Sequence, residues 1–225
     1  MESFCAKLPK IGNGFSLPDN AFMIPIIQST TIKMIPKNTK KIILYLLRNL
    51  EPVNINQISK KLDISVGSAF KILKDLEKSN IILSSALGNA KFYQINLNNE
   101  ETIRWCEILL SEERRNLKGY SKIYADEIQK FEHSELTILF GSVLSNKEFN
   151  DVDVLFITNK PKEVTKFCLN LSKVRTKPVV PLILKKEDFI KEIKNRKEVV
   201  LNILRIGIIL RGEPTFVDVL KNVRK

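Results

Sequence analysis

Histidine is nearly absent from this chain, with His133 the only one in 225 residues. That excludes catalysis built on paired histidines and most zinc enzymes, which draw on imidazole ligands. Cysteine is also scarce. Cys5, Cys106 and Cys168 are odd in number, far apart and free of any C-x-x-C spacing, which argues against a disulfide framework and against a structural zinc site. Long apolar runs are missing. The stretch 21–27 is interrupted by Pro25 and falls far short of the ~20 residues a membrane-spanning helix needs. The N-terminus carries no basic-then-apolar segment followed by a small-residue cleavage site, so the expected location is cytoplasmic, with no membrane partner.

What is present is an ordinary apolar content of 44% beside 28% charged residues, enough to bury a core and to exclude disorder as the main state. A chain of this length suits two small domains. The net charge of +12 points either to a solvated basic surface or to a polyanionic partner. The charge is unevenly placed. Residues 33–98 carry 11 Lys/Arg against 4 Asp/Glu, residues 99–132 carry 6 against 8, and residues 133–225 carry 18 against 11. Two basic blocks thus flank an acidic bridge. The expected division is an arm over 1–36, a basic domain over 37–98, a linker helix over 99–132 and a second domain over 133–225. The expected fold class is α/β (α+β).

Residues 1–36 are punctuated by Pro9, Gly12, Gly14, Pro18, Pro25 and Pro36, which predicts a loose arm with one short element. Beyond it, Ile43, Leu46, Leu47 and Leu50 recur at helical spacing, and Glu51-Pro52 should end that helix. A second short helix fits 54–62. A third begins at Ser65, a good N-cap residue, and buries Ala69, Ile72, Leu73 and Leu76 before ending at Ser79-Asn80. Two alternating runs around Leu87-Gly88-Asn89-Ala90 predict a hairpin. The order helix, helix, turn, helix, hairpin, together with the segment 58–77, closely resembles a winged helix-turn-helix over roughly 38–98. The periodicity alone also fits a protein-interaction module.

The resemblance implies double-stranded DNA as partner, with the third helix in the major groove. Val66, Gly67, Ser68, Phe70, Lys71 and Lys74 face away from its apolar stripe. Ser68 and Lys71 are placed to reach base edges or phosphates, and Lys60, Lys61, Lys74 and Lys78 to hold phosphates, which positions without specifying. Lys91, near the hairpin tip, is placed for the backbone or the minor groove. No arginine lies on this helix, so the commonest guanine contact is missing.

The stretch 99–132 reads as one long helix that Gly119 interrupts or bends. Its apolar residues Ile103, Cys106, Leu109 and Leu110 suit packing of both domains together or a homodimer contact.

From Glu135 the texture changes. A short apolar strand, 136–140, runs into Gly141-Ser142, and a polar loop leads to Asp151-Val152-Asp153 at the head of a second strand. Period-two alternation puts Asp151 and Asp153 on one face. Two carboxylates so placed repel one another unless a cation or donor lies between them, and hard oxygen ligands suit magnesium, Mg²⁺. The pattern G-S-x8-D-x-D resembles the signature of the minimal, DNA polymerase beta-like nucleotidyltransferases, over roughly 133–214. The resemblance implies that Gly141 and Ser142 bind a nucleoside triphosphate and that Asp151 and Asp153 are catalytic and hold the metal. The family's third carboxylate, on the next strand, falls near Val180, and no Asp or Glu lies between Glu163 and Glu187. Its loss weakens a second metal and removes a base.

Elsewhere, His133 and Trp105 read as surface and packing residues, and the basic run 185–197 as a solvated face or a second polyanion contact. The leading expectation is a DNA-binding winged helix fused to a domain that binds nucleotide and Mg²⁺ and transfers a nucleoside monophosphate to a hydroxyl. The alternative is a non-enzymatic transcription regulator whose degenerate second domain serves as a sensor or dimerisation unit.

Overall fold

The first helix, α1 (Lys37–Arg48), buries Ile42, Ile43, Leu46 and Leu47 on one stripe. It stops short of the expected Leu50. Asn49 turns to an extended backbone, and both its backbone N–H and its side-chain amide donate to the Tyr45 carbonyl, which satisfies the helix end two residues early. Next come a two-residue strand, β1 (Val53–Asn54), and α2 (Ile55–Leu62). Asn54 and Gln57 close a reciprocal capping box at the start of α2, with bonds of 3.0 and 2.8 Å. Asp63, in the left-handed region at φ 53°, turns the chain into α3 (Val66–Lys78), whose first turn is capped by Ser65 accepting from the Ser68 N–H. The hairpin β2 (Ile82–Leu87) and β3 (Ala90–Ile95) follows, and β1 adds to the free side of β3 to make a three-stranded sheet. Gly88, at φ 59°, is the first central residue of the hairpin turn, where a positive φ favours glycine.

The computed structural model describes residues 35–145 and 148–224, so the expected arm lies outside the described residues except for its last two positions. From Pro36 onward the chain forms one compact unit.

The single helix expected over 99–132 is two. α4 (Glu100–Arg115) and α5 (Gly119–Ile128) are separated by a break at residues 116–118. The Asn116 N–H is shared between the carbonyls of Glu112 and Glu113, which closes α4, and Gly119 takes φ 57°, a conformation that a continuing helix does not permit. Thr102, Cys106, Leu109 and Leu110 are the buried side of α4. They pack between α1 and the last elements of the chain, so of the two roles open to this face, joining the domains is the one it fills.

The second sheet is built from β4 (Leu136–Phe140), β5 (Val152–Ile157), β6 (Val179–Leu184) and β7 (Ile208–Arg211), in the order β6-β5-β4-β7. β4 and β5 run antiparallel, whereas β5 and β6 are parallel and joined through the crossover helix α6 (Pro161–Val174). Val152, Val154 and Phe156 point to the face covered by α5 and α6. Leu155 and Ile157 point to the other, covered by α7 (Lys186–Lys194), α8 (Glu198–Ile206) and α9 (Glu213–Val223). This second face shares one continuous apolar core with the winged helix.

Two arginines tie the joint. Arg48, at the end of α1 and only 8% exposed, donates to the carbonyls of Leu204 (3.0 Å) and Gly207 (2.7 Å) and to the Glu113 carboxylate (2.6 Å). In return, Arg224 Nη2 donates to the carbonyls of Leu46, Leu47 and Asn49 at 2.7–3.0 Å. Each domain therefore supplies the cation that caps a helix end of the other, where the macrodipole and the unpaired carbonyls favour positive charge. Lys40–Glu112 at 2.7 Å and the Arg196–Glu51 pair add two more cross-links.

Candidate functional site

Among the described residues, the outer face of α3 stands exposed. Val66, the first residue of α3, and Phe70, one turn on, are 49% and 57% exposed, a large apolar area to leave open on one helix face. Lys71 and Lys74 flank them, both exposed, and Gly67 has open space where a Cβ would sit. Ser68 is half-buried, and its N–H is held by the Ser65 cap. Lys60 and Lys61, at the end of α2, and Lys78, at the end of α3, are exposed as well. Among the described residues none of these five lysines is in an ion pair, so their charge is available to an outside anion. Lys91 differs. It lies 2.8 Å from Glu77 of α3, which also accepts from Ser84, so the hairpin is pinned to α3 and the Lys91 charge is partly spent inside the chain. The Lys91 hydrogen bond, followed by that from Ser84, holds the Glu77 carboxyl below its ordinary range.

This face combines exposed apolar groups with several cations, the two kinds of side chain that can meet thymine methyls and phosphates. The exposed Leu87, 72% accessible at the hairpin tip, extends the apolar component to the wing. Val66 and Phe70 stand off the apolar stripe, as the helical spacing predicts, whereas the exposure of Leu87 is easily overlooked because apolar residues are read first as core.

The second candidate lies at one end of the four-stranded sheet. The ladder sets Asp153 opposite Phe140 on β4 and beside Val180 on β6. Gly141 follows Phe140 at φ 80°, and a Cβ there would stand 2.1 Å from Asp153 Oδ2. Only glycine lets the backbone lie against that carboxylate. Ser142 is exposed and opens a short 3₁₀ turn, Ser142–Leu144. Asp151 and Asp153 are both half-buried. Burial, then the neighbouring Asp151 charge, pushes the Asp153 carboxyl above its usual value. Gly141, Ser142, Asp151 and Asp153 are thus brought to one place. The third position is apolar, since Val180 stands next to Asp153 in register and is 44% exposed. Among the described residues no group of three or more His, Cys, Asp or Glu side chains is arranged to hold a metal ion. The donor set therefore does not fit a pair of metal ions.

Residues 39–89 match the MarR family. That span runs from α1 to the hairpin turn and contains the whole helix-turn-helix. A solved structure of Lactococcus lactis ZitR, a double mutant in apo form, aligns at a TM-score of 0.32 and 20% identity, covering 68% of this chain and 91% of that chain. No curated protein matches the chain.

Proposed function

We propose that this protein is a transcription regulator that binds double-stranded DNA through its winged helix. The observation that carries this reading is the outer face of α3, where Val66, Phe70, Lys71 and Lys74 stand exposed on a helix capped and packed for presentation. The MarR match over the same elements supports it. A homodimer reading two half-sites belongs to the same proposal. Its interface lies away from the buried side of α4, which is used within the chain. Fluorescence anisotropy with labelled duplex tests the reading. With five free lysines on phosphates, affinity falls about 500-fold between 50 and 200 mM salt. Absent binding, or binding indifferent to salt, overturns it.

The second domain is, in this proposal, a nucleotidyltransferase-like unit that no longer transfers nucleotide. Val180 beside Asp153 is the reason, since the position that would carry the third acid holds an apolar side chain. Nucleotide binding without transfer is the second reading, favoured by the approach of Gly141 to Asp153. There Gly141 and Ser142 would take a triphosphate, and Asp151 and Asp153 would hold one Mg²⁺ that neutralises its charge. Calorimetry of ATP with Mg²⁺ decides it. Binding lost in the Asp151→Asn, Asp153→Asn double variant supports a nucleotide sensor. No heat with the parent protein, or equal heats from both, leaves the domain a packing partner only.

A further inference from the structure

Each of the two sheets ends in two outer strands, β1 and β2 in one, β6 and β7 in the other. An outer strand offers a row of N–H and C=O groups that can take a further strand, and proteins usually block it. β6 is blocked. The Val152 N–H donates to the Pro178 carbonyl and the Thr158 N–H to that of Leu184, so Val179, Pro181 and Ile183 are the residues of β6 that face outward. Pro181 has no N–H to offer there, and the Val179 N–H is taken by Ser172 Oγ of α6 at 2.9 Å. β7 is covered by α4, whose Arg114 guanidinium donates to the Leu210 carbonyl. β1 is two residues long and follows Pro52.

β2 is the exception. The Asn96 N–H donates to the Ile81 carbonyl at 3.0 Å, so residue 81 faces β3, and alternation turns the N–H and C=O of Ile82, Ser84 and Ala86 to the other side. Among the described residues those groups have no hydrogen-bond partner. The strand reads Ile-Leu-Ser-Ser-Ala-Leu, with no charge, no proline and no bulge. Leu83, Ser85, Ala86 and Leu87 are exposed along it. None of the devices that keep a further strand away is present.

We propose that the open edge of β2 is the homodimer interface, and that it pairs antiparallel with β2 of a second copy about a two-fold axis at Ser84. Ile82 of each copy then faces Ala86 of the other, and about six backbone hydrogen bonds close the row. Leu83 stands beside Ser85 of the second copy, and the two Leu83 side chains share one face. Electrostatics select this occupant. A chain of net charge +12 repels its own copy over most of its surface, and an uncharged strand is where two copies can meet with no cation on either side of the contact. The pairing uses up the edge of both copies, so assembly stops at two. This inference rests on the homodimer proposed for the regulator and names its interface; the contact of α3 with DNA is no part of it.

The test is analytical sedimentation of the full chain over a range of concentrations, beside hydrogen exchange read amide by amide. The parent is expected to form a reversible dimer at micromolar concentration. The Ser84 and Ala86 amides are expected to exchange at least tenfold more slowly in concentrated than in dilute protein. Ala86→Pro removes an outward N–H and leaves the ladder to β3 intact, and Ser85→Lys keeps the backbone but brings a cation from each copy to the contact. Each is expected to raise the dissociation constant at least tenfold, with the melting midpoint of the dilute protein unchanged. A parent that stays monomeric at every concentration overturns the homodimer and this interface together. A dimer that persists in both variants, or whose Ser84 and Ala86 amides exchange alike at all concentrations, keeps the homodimer and overturns the β2 edge. An assembly larger than two also overturns it, because the two-fold pairing leaves no edge free.

Discussion

Replacing Lys71 and Lys74 together by alanine is expected to weaken duplex binding about 100-fold at physiological salt, two charge-assisted contacts at roughly 1.5 kcal/mol each. The slope of log affinity against log salt should fall by about 2, one for each lysine that no longer displaces a counterion. The fold should not notice. Both side chains are exposed, and the residues that hold α3 in place, Ala69, Leu73 and Leu76, lie on its opposite side. An unchanged melting midpoint beside a lost anisotropy signal is thus the expected pair of results. If the double variant binds DNA as the parent does, α3 is not the helix that enters the groove, and the wing or α2 must carry the contact.

The largest effect on stability is expected at Arg48. Its guanidinium bonds to two carbonyls at the end of α8 and to the Glu113 carboxylate, and its face lies 5.9 Å from the Phe216 ring centre. Truncation to alanine strands the carboxylate in a half-buried place and leaves both carbonyls without donors. The expected cost is about 3–5 kcal/mol, the range found on breaking one side of a buried ion pair. Urea unfolding of Arg48→Ala and Glu113→Gln measures it, and the glutamate change should cost less because the carbonyl bonds remain. Arg48→Lys should rescue little, since a single ammonium does not span acceptors on two separate elements. A loss below 1 kcal/mol for Arg48→Ala would mean that water replaces the guanidinium and that the apolar core alone holds the joint.

Much of the architecture is legible in the sequence where periodicity meets a clear stop. Ser65 before an i, i+3, i+4, i+7 stripe announces α3, and alternation on either side of Gly88-Asn89 announces the hairpin. The run 136–140 and the run 179–184 are both strands, at the boundaries the apolar pattern gives them. β1 escapes because two residues have no period. The early end of α1 escapes because Asn49 offers a local amide that competes with the continuing apolar pattern. Of the paired-carboxylate place, the shared face of Asp151 and Asp153 follows from spacing alone. The closeness of Gly141 to Asp153 and of Val180 to Asp153 needs the strand register, which is a relation between segments. The pairing of Lys91 with Glu77 is hidden for the same reason. The arginines are the deepest omission. Arg48 and Arg224 look like surface charge in a basic chain, and each finds its carbonyl partners more than 150 positions away.

The reciprocal capping by Arg48 and Arg224, laid over one shared core, bears on how the molecule opens. Amide protons of α1 and of β4 should exchange with solvent through a common event of the same free energy, because neither half can let go without exposing the carbonyls and leucines of the other. A protease should therefore liberate no stable winged-helix fragment, and the segment 37–98 expressed by itself would present Leu46, Leu47 and the carbonyls at the end of α1 to water. By the same linkage, whatever the second domain grips in its native form raises the population of the folded winged helix, at sites that need share no contact with it.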